Sequence, residues 1–291
     1  MNHEKILEST ILEMKMLLEK SITTCIVGGG QKNNGLLAKE SLIRSKTLIN
    51  MLHEAVKKSL ISEGIYKENL LPPLNETKPE LKVSGFLKKK DQDVCVIPLN
   101  VPKVRTPITW GPLAYEGEVD PLGLEFTEKT LIINVRSQLS SLAKNADTLF
   151  ERTFAETTNL HTIYPNVVLG EVYLIPVYEY HAEAAKSNKV EFVQKHTNLE
   201  KYISFFTSIS NRTNPETDIY KYERCALIIV DFSADVPKIY KNTAELKKDG
   251  LISKGFDLEL EDISYHTFFK NILSTYSQRF NPANIMNSPI I

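Results

Sequence analysis

Four short apolar segments, interrupted by one long helical stretch, restrict the fold of this chain more than any other feature of its sequence. The segments span residues 95–99, 131–135, 167–177 and 226–232, and they have the length and β-branched content of buried strands. Helical spacing prevails at about 140–160, between the second and third segments. A strand, a helix and a second strand followed by further strands indicate a mixed β-sheet flanked by helices. We therefore expect an α/β fold.

The first 64 residues have another pattern, because their apolar side chains recur at helical spacing. One run consists of Ile6, Leu7, Ile11, Met14, Leu17 and Leu18, and the next of Leu42, Ile43, Ile49, Leu52, Val56 and Leu60. The glycine-rich segment 28–35 between the runs lacks the GKS/T ending of a phosphate-binding loop, so we expect a flexible linker. Residues 65–94 contain three prolines and the run Lys88-Lys89-Lys90, which is typical of a surface connection.

These patterns divide the chain into a helical N-terminal region, residues 1–94, and a core, residues 95–291. The core closes with a helix that is marked by Phe268, Phe269, Ile272, Leu273 and Tyr276. We expect the N-terminal region to serve as a dimer face or as a clamp on a ligand.

The composition indicates a reducing compartment and no membrane span. The three cysteines, Cys25, Cys95 and Cys225, are far apart and form no CxxC pair. No early segment has the order of a signal peptide, and no run approaches the roughly 18 apolar residues of a membrane span. We therefore expect a cytoplasmic protein. The net charge of -1 argues against a chain that coats nucleic acid through bulk charge, but it allows a locally basic cleft.

Two common kinds of catalytic site are not indicated. The six histidines are scattered without HxH or HExxH spacing, so we assign none of them to a metal. A Gly-X-Ser-X-Gly elbow does not occur in the sequence, and hydrolysis through a covalent nucleophile is therefore not expected.

The segment 118–177 has the parts that phosphodiester cleavage needs. An acidic residue, Asp120, precedes an apolar strand, the cation Arg136 ends that strand, and the following helix carries Glu151. Cleavage requires an activated water, neutralised charge on the phosphate and a stabilised leaving oxygen, which bound Mg²⁺ can supply together. One or two carboxylates suffice to hold Mg²⁺, and a nearby cation offsets charge in the transition state.

With these residues, the segment resembles the PD-(D/E)XK superfamily, to which many type II restriction endonucleases belong. Many of these enzymes have Asp at the start of a β-hairpin and Glu-X-Lys on the next strand. Asp120 matches the aspartate, whereas Asn134 and Arg136 stand where the glutamate and the lysine would be. In one branch the acidic ligand lies on the following helix, where Glu151 is found. The resemblance implies a restriction-endonuclease-like core with Asp120 and Glu151 as Mg²⁺ ligands and Arg136 as the supporting cation.

The same residues also have ordinary interpretations. Asn134 cannot supply the charge of a glutamate, and Arg136 cannot act as a neutral amine base because guanidinium groups stay protonated in proteins. Asp120 fits a turn, and Glu151 fits a solvent-exposed helix face. Glu171 lies inside an apolar strand, where an unpaired carboxylate is costly, so it must be paired, at an edge or a ligand.

Specific recognition of duplex DNA also needs side chains that reach base edges and phosphates. The loops 101–111 and 208–214 have a suitable composition, which ordinary polar surface loops share. The candidate DNA contacts are Lys103, Arg105, Ser137, Gln138, Asn211 and Arg212. Symmetric cutting of a palindrome requires two sites related by a twofold axis, so we expect a homodimer.

We therefore predict a homodimeric, Mg²⁺-dependent type II restriction endonuclease that hydrolyses both strands of a specific DNA sequence. A second interpretation is an inactive nuclease-like fold that binds DNA or a protein, and the missing charge at Asn134 favours it. A third is an α/β enzyme that acts on a small molecule. Only the active nuclease requires Glu151 to lie close to Asp120 in space.

Overall fold

The computed structural model describes residues 2–286 of the chain, in which helices alternate with short strands. The helices are α1 (His3–Thr24), α2 (Gly35–Arg44), α3 (Thr47–Ser62), α4 (Gly111–Tyr115), α5 (Leu124–Glu128), α6 (Leu142–His161), α7 (Ala182–Lys186), α8 (Leu199–Ser208), α9 (Thr243–Lys248) and α10 (Tyr265–Arg279). The strands are β1 (Ile26–Val27), β2 (Gly30–Gln31), β3 (Leu70–Leu71), β4 (Leu81–Ser84), β5 (Lys89–Gln92), β6 (Val94–Val96), β7 (Thr106–Pro107), β8 (Val119–Asp120), β9 (Leu131–Ser137), β10 (Val168–Pro176), β11 (Arg224–Asp231) and β12 (Lys238–Tyr240). None of the helices within residues 2–286 combines the length and apolar character needed to cross a bilayer.

Six of these strands form the central sheet, in the order β12-β11-β10-β9-β6-β3. The strands β9, β10 and β11 run parallel, whereas β12, β6 and β3 are antiparallel to their neighbours. The helix α6 is the crossover from β9 to β10, since parallel neighbours cannot be joined by a tight turn. This mixed sheet between helices confirms the predicted α/β fold.

Alternation along the strands gives each face of the sheet its own hydrophobic core. On β9, Ile133 and Val135 pack on the face that α1, α3 and α10 cover. The intervening Ile132 packs on the opposite face, together with residues of α6 and α8. We call this second side the α6 face, and it is the side on which the polar residues described below are found.

The predicted helical character of residues 1–64 is confirmed, with three helices instead of two. The first core contains Ile11 and Leu18 of α1, and Leu52 and Val56 of α3, in contact with the strands of the sheet. The glycine-rich segment between α1 and α2 forms the short hairpin β1–β2.

Residues 65–94 differ most from the surface connection that was predicted for them. They contribute the edge strand β3 and the hairpin β4–β5, and β6 begins at Val94. Strands of two to four residues are too short to show an alternation of apolar and polar side chains, which is why the sequence pattern did not indicate them. The hairpin brings Lys90 to α6, where it pairs with Glu156.

A buried ion network fixes the beginning of β11 to its surroundings. Glu223 is completely buried, and its Oε1 accepts hydrogen bonds from Arg212 Nη1 at 3.1 Å and Arg279 Nη1 at 2.8 Å. The backbone N–H of Leu169 donates to Oε2 at 2.7 Å, and His161 Nε2 lies 3.5 Å from the same oxygen. Burial opposes the charge of Glu223, but the hydrogen bond and charge of His161 and the charge of Arg279 outweigh it and lower the pKa of Glu223 to about 2.

We expect Glu223→Gln to lower the free energy of unfolding by about 3–5 kcal/mol, because it leaves a buried guanidinium without its counter-charge. The folded-state pKa of Glu223 lies below its ordinary value of 4.5, so its charge stabilises the fold fully above that pH. The difference between wild type and variant should therefore shrink as the pH falls from 4.5 towards 2. Urea unfolding at several pH values measures it, with the exposed Glu216→Gln as the control. A difference below about 1 kcal/mol at neutral pH would contradict this role.

Candidate functional site

Polar side chains interrupt the apolar α6 face of the sheet where β9 meets β10. Asn134 and Arg136 of β9 and Glu171 of β10 lie on this face, and Thr153 and Glu156 of α6 lie over them. We call these five residues the polar cluster. Asn134 and Glu171 are 0% exposed. Because buried polar groups are costly unless they are partnered, a structural or functional role must balance this placement.

Arg136 is at the centre of the polar cluster. Its Nη1 donates hydrogen bonds to Glu171 Oε1 at 3.0 Å and to Thr153 Oγ1 at 2.8 Å, and its Nη2 pairs with Glu156. Burial disfavours the charge of this guanidinium, yet the charge of Glu171 and of other nearby groups outweighs burial and raises the pKa of Arg136. Arg136 is therefore a permanent cation that ties α6 to the sheet.

The spacing of the residues explains how the polar cluster forms. Asn134 and Arg136 are two residues apart on one strand, so their side chains share a face. The parallel register of β9 and β10 then places Glu171 opposite Asn134. Thr153 and Glu156 are three residues apart on α6, so they share one side of that helix.

Lys90 and Asp93, at the end of the β4–β5 hairpin, border the polar cluster. Lys90 pairs with Glu156, and burial together with the charge of Arg136 lowers the pKa of Lys90 to about 8. Asp93 accepts a hydrogen bond from the backbone N–H of Val135 at 2.9 Å, and its charge acts on the guanidinium of Arg136. An amine that can lose its proton near pH 8 and a further carboxylate thus lie beside Arg136.

Two buried oxygens of the polar cluster, Glu171 Oε2 and Asn134 Oδ1, have neither a hydrogen bond nor an ion pair within residues 2–286. The Tyr222 hydroxyl is close enough to Glu171 to lower its pKa through a hydrogen bond, but its geometry directs it to the carbonyl of Thr153 at 3.3 Å. Burial and the charge of Asp93 raise the pKa of Glu171. Buried acceptors without a donor are rare and need an explanation, and a cation would supply the missing interaction.

The oxygens around Arg136 fit a small, hard cation better than a transition metal. In the part of the chain that the structure describes, no three His, Cys, Asp or Glu side chains form a group that could hold a metal ion. Mg²⁺ needs no such group, because it binds through one or two protein carboxylates and keeps several water ligands. The unpartnered oxygens of Glu171 and Asn134, with the carboxylate of Asp93 nearby, match this requirement.

Of the three predicted catalytic residues, the structure brings only Arg136 into the polar cluster. Asp120 is buried at the end of β8, where it accepts a hydrogen bond from the Ser84 hydroxyl at 3.2 Å. The backbone N–H groups of Leu122 and Gly123 donate to the same carboxylate at 3.2 and 3.0 Å. These contacts are typical of an aspartate that holds a turn.

Glu151 lies on the exposed side of α6. Glu156 follows five residues later and is therefore rotated by about 140° around the helix axis, which turns it towards the sheet. Within residues 2–286, no hydrogen bond or ion pair joins Arg136 to Glu151 or to Asp120. The carboxylate on the predicted helix that meets the strand cation is thus Glu156.

The predicted DNA contacts are divided between the surface and the interior. Lys103, Arg105 and Asn211 are exposed, and Ser137 is half-buried at the end of β9. Arg212, in contrast, is part of the buried ion network around Glu223, described above, and cannot reach a base.

Gln138 is also occupied by contacts within the protein. Its side-chain amide donates to the carbonyls of Ser141 at 3.3 Å and Leu142 at 3.2 Å. Its Oε1 accepts hydrogen bonds from the hydroxyls of Tyr173 at 3.2 Å and Tyr202 at 2.9 Å. With all these groups satisfied, Gln138 connects the end of β9 with α6 and α8.

Sequence reasoning missed Lys90, Asp93 and Glu156 as members of the site. The signal for Glu171 was present, since a carboxylate inside a continuous apolar strand requires a partner. For Lys90 the available signal was the lysine run 88–90, which a surface connection explained equally well.

We expect Lys90 to titrate near pH 8, because burial and the charge of Arg136 disfavour its ammonium form. Reductive methylation with ¹³C-formaldehyde and NMR at a series of pH values would follow each lysine, and Lys90→Gln would identify the signal by its loss. A Lys90 signal that titrates at the ordinary value of 10.5 or above would contradict the buried position of the amine.

Comparison with protein-family models, with curated proteins and with solved structures finds no match to this chain. Its function is therefore inferred from the positions and the chemistry of its own side chains.

Proposed function

We propose that the protein is a Mg²⁺-dependent endonuclease that hydrolyses phosphodiester bonds of double-stranded DNA at specific sequences, with the polar cluster as its active site. The observation that carries the proposal is the pair of unpartnered buried oxygens, Glu171 Oε2 and Asn134 Oδ1, beside the fixed cation Arg136. Carboxylate and amide oxygens next to a permanent cation are suited to a metal ion and a phosphate together.

The position of the polar cluster supports this proposal. It lies on a unit in which β6 is antiparallel to β9, and α6 connects β9 to the parallel strand β10. The resemblance noted in the sequence implies a cation at the end of the second strand of such a unit, where Arg136 is found. Asp93, at the start of β6, takes the place that the resemblance had assigned to Asp120, because it lies beside Val135 and acts on Arg136.

Asp93, Asn134 and Glu171 are the residues that would hold Mg²⁺ in this site. Bound there, Mg²⁺ would supply the positive charge that activates a water molecule and stabilises charge on a phosphate. Arg136 orients the carboxylate of Glu171 through the 3.0 Å hydrogen bond and adds a fixed positive charge for the transition state. Glu156 holds both Arg136 and Lys90 in place.

Lys90 has the chemical property that Arg136 lacks. A guanidinium stays protonated in proteins, whereas the amine of Lys90, with a pKa of about 8, can accept a proton near neutral pH. In its neutral form, released from the ion pair with Glu156, Lys90 would be able to take the proton from the attacking water.

Recognition of a specific duplex and assembly as a homodimer belong to the same proposal. Lys103 and Arg105 are exposed and can contact DNA, and Asn211 is exposed although its Oδ1 accepts a hydrogen bond from Arg224 at 2.9 Å. Gln138 and Arg212 are removed from the set of candidate contacts because they are used internally. Two copies of the site are needed to cut both strands of a palindrome symmetrically.

A second candidate function is a non-catalytic module that binds DNA, and one observation favours it. Arg136 and Lys90 already neutralise the carboxylates of Glu156 and Glu171, so the polar cluster is stable without a further ion. The two candidates predict different results when Mg²⁺ is added to bound DNA, because only the endonuclease would cut it.

The test is Glu171→Gln, which keeps the shape of the side chain but removes the charge. We expect the wild type to cut plasmid or phage DNA into discrete fragments in Mg²⁺ and not in EDTA. Replacing a residue that only supports a metal ligand usually lowers activity by about 10- to 100-fold. Because Glu171 is proposed to bind the metal directly, its replacement should lower the cleavage rate by more than about 100-fold.

The matched control is Glu151→Gln, the same change on the exposed side of α6, which should cut DNA at the wild-type rate. Normal cutting by Glu171→Gln would remove the polar cluster from the chemistry. No cutting by the wild type of several diverse DNAs, methylated and unmethylated, would leave the non-catalytic module as the better account.

A further inference from the structure

A surface cavity of about 210 Å³ lies between the tip of the β4–β5 hairpin and α6, next to Glu156. We call it the hairpin cavity. Its walls include Leu87, Lys88, Lys90, Arg152, Glu156 and Asn159. The hairpin cavity is outside the polar cluster, and only Glu156 belongs to both.

The charge of the hairpin cavity is strongly unbalanced. Three cations, Lys88, Lys90 and Arg152, face a single carboxylate, Glu156. That carboxylate is already shared between Lys90 and Arg136. Within residues 2–286, neither Lys88 nor Arg152 has an ion-pair partner. The described residues therefore leave two uncompensated cations at one opening, and this local positive charge favours an anion there.

The hairpin tip is held in place, so the backbone that carries Lys88 does not have to be ordered when a ligand binds. Asn159 of α6 accepts a hydrogen bond from the backbone N–H of Leu87 at 2.7 Å through its Oδ1. The backbone carbonyl of Asn159 accepts one from Phe86, also at 2.7 Å. A Cβ atom at Gly85 would lie 2.1 Å from Asn159 Nδ2, so only glycine allows this close approach. A backbone that is already fixed lowers the entropic cost of binding an anion there.

We propose that the hairpin cavity binds a phosphodiester group of the DNA strand being cut, one that neighbours the scissile phosphate, through Lys88 and Arg152. This inference rests on the proposed function, since it takes the polar cluster as the place of cleavage. Arg152 presents the planar donors that pair with phosphate oxygens, and Lys88 acts as a point charge. Contacts of this kind set the position of a strand and carry no sequence information.

The position of the cavity determines which part of the substrate reaches it. Glu156 separates the hairpin cavity from Arg136, so a ligand in the cavity and a phosphate at the polar cluster are neighbours. A nucleic-acid strand has a phosphate at every nucleotide and can occupy both places at once, whereas a free phosphate ion can occupy only one. A continuous strand is therefore the ligand that uses the whole surface.

The experiment measures DNA binding without cleavage. Glu171→Gln protein is titrated into a fluorescein-labelled DNA duplex in EDTA, and anisotropy gives the affinity at several salt concentrations. Each phosphate contact adds about 0.9 to the slope of log affinity against log salt, so Lys88→Gln/Arg152→Gln should reduce that slope by about 1.8. The loss should be the same for unrelated duplex sequences.

Lys247→Gln/Lys248→Gln on α9 is the matched control, because it removes the same charge from another surface and should leave the slope unchanged. An unchanged slope in Lys88→Gln/Arg152→Gln, or no DNA binding by the parent protein, would overturn the proposal. Inorganic phosphate is then added to the protein–duplex complex and compared with chloride at the same ionic strength. The two salts should displace the same fraction of the duplex from the protein. Selective displacement by phosphate would assign the cavity to the free ion instead.

The outcomes separate this inference from the proposed function. If the wild type cuts DNA and the slope is unchanged, the active site stands and the hairpin cavity is not part of it. If Lys88→Gln/Arg152→Gln lowers the salt slope as expected but the wild type cuts no DNA, the phosphate-binding site is supported and the proposed hydrolysis is contradicted.

Discussion

The hydrogen bonds and ion pairs of Arg136 connect the central sheet with α6 and, through Glu156, with the β4–β5 hairpin. A carboxylate as buried as Glu171 would be costly without a cation, and the guanidinium 3.0 Å away supplies it. The same guanidinium reaches Glu156, which in turn holds Lys90 at the end of the β4–β5 hairpin. Sheet, helix and hairpin therefore meet at one cation, and the positions of the other charges follow from it.

The sequence predicted the elements of the sheet far better than the contacts between them. Strands β9, β10 and β11 and the helix α6 follow from apolar composition and helical spacing, and Arg136 was identified because it ends a buried strand. The acids that meet it were assigned to Asp120 and Glu151 instead. Glu156 and Glu151 lie on the same helix and differ in which side of α6 they occupy. Glu171 lies opposite Asn134 because of the register of the parallel strands β9 and β10, which the sequence does not reveal. Asp93 and Lys90 depend on a hairpin too short to be visible as a pattern.

Local charge explains how a chain with a net charge of -1 can be suited to a polyanion. Lys88 and Arg152 lie together at the hairpin cavity and have no counter-charge among residues 2–286, whereas Arg212 and Arg279 compensate the buried Glu223. Overall charge therefore says little about this site, because it sums cations that are buried in ion networks with cations that face solvent. The proposed active site and the proposed phosphate site share Lys90 and Glu156. Each can still be tested alone, because Glu171 belongs only to the first site and Lys88 and Arg152 belong only to the second.

The central claim is that the unpartnered oxygens of Glu171 and Asn134 belong to a cation site. Calorimetric titration of Mg²⁺ into the wild type, Glu171→Gln and Glu151→Gln tests it most directly, since no DNA and no catalysis are involved. The account predicts equal Mg²⁺ affinity for the wild type and Glu151→Gln, and an affinity at least about tenfold weaker for Glu171→Gln. Equal Mg²⁺ affinity in all three proteins, or no Mg²⁺ binding by the wild type, would contradict it.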